Sequence, residues 1–309
     1  MGWIIPLVLF VVLVALPFLA ERGKRPSSAF RAQAPGRFAK LSQGVTHYQW
    51  LGAARGPVIV CIHGLSTPSP IWYAIAIGLG KMGFRVLVYD LFGRGFSDAP
   101  LATQSATFFN DQLSDLLENQ EITDPVTLMG FSMGGSIATA FAAAHPDRVR
   151  RVILLASSGM AVRSTRLTEM SCRIPLIGDW VFHIILARRD RRNLRKQLGR
   201  TFDVKGITEL QLGEYESKGF LRSMLSSRRH LLSQSLEEEH RIVGRNDIPM
   251  VGIWAEKDEV IPLRSLGTLS QWNRTVRQEV VNGAGHSVPY THSKQVVGLL
   301  REILVEDVR

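Results

Sequence analysis

Residues 126–135 read Val-Thr-Leu-Met-Gly-Phe-Ser-Met-Gly-Gly, and the stretch Gly134–Ala144 that follows is small and apolar. A continuous apolar run of strand length reads as a buried strand, and the longer small-residue stretch behind it as a helix. Ser132 therefore stands at a sharp strand-to-helix turn, inside Gly130-Phe131-Ser132-Met133-Gly134. A serine so placed projects its hydroxyl, and the glycines on either side let the turn close without clashes. The helix start beneath it offers unpaired N–H groups and a positive dipole end to a developing oxyanion. The pattern fixes only three of five positions, so its weight comes from the strand before it and the helix after it.

Working outward, further apolar runs of strand length are Val45–Leu51, Pro57–Ile62, Phe84–Tyr89, Val149–Leu155, Pro249–Trp254 and Val276–Val281. Helix-like segments separate several of them, among them Ile71–Lys81 and Thr107–Glu118. Buried strands alternating with helices predict an α/β fold with a mostly parallel sheet covered on both faces. Residues 160–245 break the rhythm, with amphipathic helical patterns and no clear strand, and they predict a helical cap inserted into a core of 45–159 and 246–309. Within the cap, Ile174–Ala187 sets Ile177, Trp180, Val181, Ile184 and Ile185 at helical spacing, just before a basic run that holds Arg191, Arg192, Arg195 and Lys196. An apolar stripe of that kind is either core-facing or rests on a bilayer, with the basic run on anionic headgroups.

A nucleophilic serine needs a base and a group to orient the base. Of the eight histidines, His286 stands in the flexible loop Asn282-Gly283-Ala284-Gly285-His286-Ser287 after the last strand. His47 falls in a strand, His145 at a helix end, His292 in the next helix, and His183, His230 and His240 in the cap. After Pro249–Trp254 the orienting candidates are Glu256, Asp258 and Glu259, of which Asp258 is selected. The order Ser132, Asp258, His286 is nucleophile, acid, base. A letter-perfect G-x-G-x-x-G at Gly78–Gly83 closes a helix and precedes a strand, the reverse of a dinucleotide site, so it predicts no such site.

With these residues in view the chain resembles the α/β-hydrolase superfamily over roughly 45–305. The resemblance is carried by Val58–Gly64 ending in His-Gly, by Tyr89-Asp90 with Gly93-Arg94-Gly95-Phe96-Ser97, and by Gly130–Gly135. Asp258-Glu259-Val260-Ile261-Pro262 and Gly285-His286-Ser287 complete it. It implies a nucleophile at Ser132, an acid at Asp258, a base at His286, and an oxyanion hole from the backbone N–H groups of Leu65 and Met133. It further implies structural roles for Asp90 and the Gly93–Ser97 loop, and a supporting role for His63 behind the oxyanion loop. Epoxide hydrolases and haloalkane dehalogenases carry aspartate where Ser132 stands, and the former need cap tyrosines, of which 160–245 holds only Tyr215. Proline iminopeptidase-like enzymes carry tryptophan where Met133 stands. What remains is ester hydrolysis through an acyl-enzyme, with thioester or C–C bond cleavage, or ligand binding with negligible turnover, as the alternatives. No metal or organic cofactor is implied.

The first twenty residues add a second theme. Gly2–Ala20 carries no charge, and nineteen helical residues rise roughly 28 Å, close to the hydrocarbon thickness of a bilayer. A cleaved signal peptide would show a basic start and a small residue where Phe18 stands, so residues 1–21 are read as an uncleaved anchor. Pro6 sits where a myristoylation signal requires Ser or Thr. Residues 22–44 read as a basic linker; 21–40 hold six Lys and Arg against Glu21, which by the positive-inside rule keeps the following domain cytoplasmic. An anchor joined to a helical cap resembles monoacylglycerol lipase-like membrane serine hydrolases, and implies a lipid ester substrate.

Composition agrees. The 309 residues carry a net charge of +10. The cap's 17 basic and 10 acidic residues supply +7, and 21–40 supplies +5. Charge gathered beside an apolar anchor fits anionic lipid, and no nucleic-acid-binding motif accompanies it. Cys61 and Cys172 form neither a disulfide framework nor a zinc spacing.

Overall fold

The computed structural model describes residues 3–304. Their strands are β1 (Arg37–Leu41), β2 (Gly44–Gly52), β3 (Val58–Ile62), β4 (Arg85–Tyr89), β5 (Val126–Phe131), β6 (Val149–Leu155), β7 (Met250–Ala255) and β8 (Arg277–Val281). They form one sheet in the order β1-β2-β4-β3-β5-β6-β7-β8. The β1–β2 and β2–β4 pairs are antiparallel; every other pair is parallel. β5 lies at the centre, where every one of its residues is buried. A strand buried on both faces shows no alternation, which is why it reads in sequence as a plain apolar run.

Helices α1 (Ile4–Arg22), α2 (Tyr73–Lys81), α3 (Ala106–Asn119) and α4 (Met133–Ala144) precede or interleave the first strands. Six more lie between β6 and β7: α5 (Arg166–Arg173), α6 (Ile177–Trp180), α7 (Ala187–Arg195), α8 (Ile207–Glu214), α9 (Phe220–Arg229) and α10 (Glu237–Arg245). A π-helical turn, Val181–Leu186, joins α6 to α7 without a break. α11 (Arg264–Trp272), α12 (Val288–Thr291) and α13 (Ser293–Ile303) follow β7 and β8. Two apolar cores flank the sheet, one built around Leu128, Ile137 and Phe141, the other around Ile59, Trp72 and Val296. A third, around Phe182, Leu186, Phe220 and Met224, belongs to the inserted helices. The inward stripe of the α6–α7 helix thus consists of Val181, Phe182, Leu186 and Ala187, while Ile174, Leu176, Ile177 and Ile185 remain exposed.

Two expectations need correction. Residues 22–44 are not a linker throughout, because β1 occupies Arg37–Leu41 and pairs with β2. Arg37 and Lys40 give the segment its basic look, but they project outward from an edge strand while Ala39 and Leu41 are buried. The burial of β1 does not follow a clean alternation, so no period-two signal marks it in the sequence. Nor is the polar end of Trp180 free for a bilayer, since its Nε1–H donates to the Leu13 carbonyl of α1 at 2.9 Å. The reason lies four residues on. Pro17 has no N–H, so the carbonyl of Leu13 loses its partner within the helix. Pro17 is also the buried residue of α1. The proline thereby creates a docking point for the inserted helices.

That pairing makes a coupled prediction for detergent-solubilised protein. Trp180→Phe orphans the carbonyl and should lower stability by about 1 kcal/mol, a melting shift of about 2–4 °C. In a Pro17→Ala background, where residue 17 can donate to Leu13 itself, most of that loss should vanish. Simple additivity of the two substitutions would contradict the account.

Candidate active site

Ser132 connects β5 to α4 with φ 52° and ψ −117°, a strained conformation for a residue with a side chain. The strain persists because its surroundings leave no alternative. A Cβ at Gly130 would lie 2.2 Å from the Gly134 carbonyl, and one at Gly134 would lie 2.1 Å from the Ile62 carbonyl of β3. Ser132 N–H donates to Leu155 at the end of β6, and the Ser132 carbonyl accepts both the N–H and the Oγ of Ser158, at 3.1 and 3.0 Å. Ser158 is braced in turn by Ser136 Oγ at 2.6 Å. The turn is therefore clamped by the strands on either side.

The side chains of Ser132, His286 and Asp258 lie together. His286 Nε2 lies 3.0 Å from Ser132 Oγ, and His286 Nδ1 lies 2.9 Å from Asp258 Oδ2. Asp258 is buried, and its Oδ1 accepts the N–H groups of Val260 and Ile261 at 2.8 and 2.7 Å. With one oxygen fixed by the backbone, the other faces the imidazole and selects the tautomer whose Nε2 is free to accept from the serine. The ring of Phe131 lies 5.0 Å from that of His286 and flanks it on the elbow side. Glu256, the rejected neighbour, instead accepts from Gly283 N–H, and Glu259 is exposed.

Leu65 lines the same cavity as Ser132. Its N–H finds no carbonyl among the described residues, and Met133, first residue of α4, has none one turn back to bond. The loop carrying Leu65 is held from behind by a buried polar cluster. His63 Nδ1–H donates to the Gly64 carbonyl and its Nε2 accepts from Leu91 N–H, at 2.8 and 2.9 Å. Burial brings its pKa down to about 4, so the ring is a neutral brace. Arg94 Nε donates to the Leu65 carbonyl at 3.0 Å while its Nη2 donates to Ser227 on α9 at 2.8 Å. Asp90 takes the N–H groups of Ser69 and Phe96 and pairs with His47 at 2.7 Å. The other His47 nitrogen meets the Pro35 carbonyl, so both ring nitrogens face acceptors. Burial is the largest single influence and acts to lower the His47 pKa, but the bond to Asp90, the charge of its carboxylate and the Pro35 carbonyl together outweigh it, and the net direction is upward. Asp90 and the 93–97 loop are thus structural braces, and Arg94 ties the loop that carries Leu65 to the inserted helices.

The cavity in front of Ser132 has a volume of about 260 Å³, and Leu65, Val162, Leu194, Arg228, His286 and Tyr290 are among its walls. A larger one, about 370 Å³, lies on the far side of α8 between Phe30, Tyr73, Phe96 and Glu214, away from the serine. Sequence reasoning missed Ser158, the Arg94 fork and the inserted residues Leu194 and Arg228. Only the fold brings them to the site, and no spacing signals them. Arg191, proposed for headgroups, pairs with Glu216 at 2.5 Å, whereas Arg192, Arg195 and Lys196 are exposed. Among the described residues no cluster of His, Cys, Asp and Glu could hold a metal ion.

The glycine constraint can be tested directly. Gly134→Ala drives a Cβ into the Ile62 carbonyl and should cost about 3 kcal/mol of stability together with the assembled site. Gly213→Ala, inside α8 with nothing within 4 Å, should instead stabilise the fold by up to about 1 kcal/mol.

Known proteins share the fold. Residues 57–174 match the family model described as the alpha/beta hydrolase fold. The chain is 25% identical over 253 residues to a 2-hydroxymuconate semialdehyde hydrolase of Pseudomonas sp., covering 80% of this chain and 87% of that protein. It is 24% identical over 281 residues to monoacylglycerol lipase abhd6-B of Xenopus laevis, covering 84% and 80%. The enol-lactonase of Burkholderia xenovorans superposes with a TM-score of 0.71 at 20% identity, over 87% of this chain and all of that one. The chain has the α/β-hydrolase fold, and its residues 57–174 carry the match to that family's model.

Proposed function

We propose that the protein is a membrane-anchored serine hydrolase that cleaves carboxylic esters, with lipid esters such as monoacylglycerols as its preferred class. The observation that carries the reading is the unbroken relay from Asp258 through His286 to Ser132, at 2.9 and 3.0 Å. In this reading Ser132 Oγ attacks the ester carbonyl as His286 Nε2 takes its proton. The tetrahedral oxyanion is received by the N–H groups of Leu65 and Met133. The C–O bond then breaks, and His286 returns the proton to the leaving alcohol. Water, deprotonated by the same histidine, attacks the acyl-Ser132 ester and releases the acid.

The membrane half rests on α1, a helix long and apolar enough to cross a bilayer, and on the basic residues Lys24, Arg25 and Arg31 behind it. In this reading the catalytic domain lies on the cytoplasmic side. Residues 1–21 serve as the anchor and 160–245 as a cap. Trp180 meets α1 at Leu13, nine residues before its end at Arg22, so a spanning α1 carries the exposed Ile174, Leu176 and Ile177 toward the lipid. An amphiphile could then pass from bilayer to cavity without crossing water. Exposed Arg192, Arg195 and Lys196 would sit against headgroups. Likeness to a monoacylglycerol lipase supports the substrate class; likeness to a semialdehyde hydrolase favours C–C bond cleavage as the second reading.

Purified protein should release p-nitrophenol from p-nitrophenyl butyrate and oleate from 1-oleoylglycerol. Ser132→Ala and His286→Ala should each lower kcat by about 10⁴-fold or more at unchanged melting temperature, with Asp258→Asn retaining somewhat more. Turnover of a vinylogous diketone with none of either ester would overturn the ester reading in favour of the C–C one.

A further inference from the structure

Arg228, on α9, lines the cavity that holds Ser132 and His286. Its surroundings differ from those of the other arginines on that helix. Arg229 pairs with Asp179 at 3.0 Å and donates to the Ser171 carbonyl, and Arg222 donates to the Ala99 carbonyl at 2.7 Å. Arg228 makes no hydrogen bond and no ion pair with any described residue, and its Nε is sealed from solvent without a partner. Burial, only partly offset by the charge of Asp190, lowers its pKa. Asp190 itself turns to Arg189 at 3.7 Å. Glu259 also lines the cavity but is exposed at its edge. Sealing a guanidinium N–H from water without an acceptor is unfavourable, and an anion entering the cavity would supply charge to this half-buried cation. A planar donor fork facing a cavity suits carboxylate and phosphate oxygens in particular.

We propose that Arg228 selects an ester bearing an anionic group, carboxylate or phosphate, placed to meet its guanidinium while the ester carbonyl lies at Ser132. The proposal rests on the ester reading above and narrows its substrate class. Leu194 and Val162 supply apolar wall beside the charge, so the expected substrate is amphiphilic as well as anionic. Arg228 acts as a binding residue and takes no proton in the reaction.

The test uses full-length protein in detergent and two matched pairs. One is p-nitrophenyl butyrate against mono-p-nitrophenyl glutarate, which adds a carboxylate on the acyl side. The other is 1-oleoylglycerol against 1-oleoyl lysophosphatidic acid, which adds a phosphate on the alcohol side. Wild type should favour the charged member of at least one pair, and the pair that shows it tells carboxylate from phosphate. Arg228→Gln should lower kcat/KM on that charged ester by about 10- to 100-fold, mainly through KM, and on its neutral counterpart by far less. Arg228→Lys should restore part of the preference. Equal losses on charged and neutral esters, or no preference in wild type, would overturn the proposal. Equilibrium binding of lysophosphatidic acid and of mono-amide glutarate to Ser132→Ala, with and without Arg228→Gln, reads the same contact without turnover. Binding weakened by Arg228→Gln sustains the anion site even if ester cleavage fails; binding indifferent to Arg228 rejects it even if cleavage succeeds.

Discussion

Everything at the site depends on a backbone that would not choose its own conformation. Ser132 is held at positive φ between β5 and α4, and only the close approach of Gly134 to the Ile62 carbonyl lets α4 start where it does. Were α4 displaced outward by the width of a methyl group, the first-turn N–H of Met133 would leave the serine and Ser132 Oγ would lose His286. The strain is sustained from both sides. Leu155 accepts the Ser132 N–H, and Ser158 takes its carbonyl twice. A fully buried β5 supplies the rigidity, since a strand paired on both edges and covered on both faces has little freedom to relax.

The second constraint is polar and lies behind the loop that carries Leu65. His63, Asp90, His47 and Arg94 are buried, and the N–H and C=O groups they engage belong to loops that must stay in place. Arg94 reaches in two directions, to the Leu65 carbonyl and to Ser227 on α9. The inserted helices are therefore wired to the loop that carries Leu65. A buried cation is tolerated there because its fork is filled, whereas Arg228, one residue from Ser227 on the same helix, has nothing to fill it. The contrast separates an arginine that builds the site from one that awaits a ligand.

Much of this was legible in the chain. Central strands announced themselves as apolar runs, and the elbow by glycines with a strand on one side and a helix on the other. Asp258 and His286 stood out because each follows a strand at the sheet's carboxyl edge, in loops free to carry polar groups. β1 was illegible, since five residues dominated by Arg37 and Lys40 look like solvated charge until β2 is there to pair with. The Trp180–Leu13 bond joins residues 167 apart and depends on a carbonyl freed by Pro17; no local pattern connects them. Ser158 and Arg94 likewise act through contacts that only the assembled sheet creates.

These constraints converge on one chemical claim, that Ser132 is an activated nucleophile. Labelling of detergent-solubilised membranes with a fluorophosphonate probe tests it most directly, since the probe reports nucleophilicity and needs no knowledge of the substrate. The account predicts that wild-type protein is labelled and that Ser132→Ala, equally folded by thermal melt, is not. Absence of labelling in folded wild type, or equal labelling of the mutant, would contradict it.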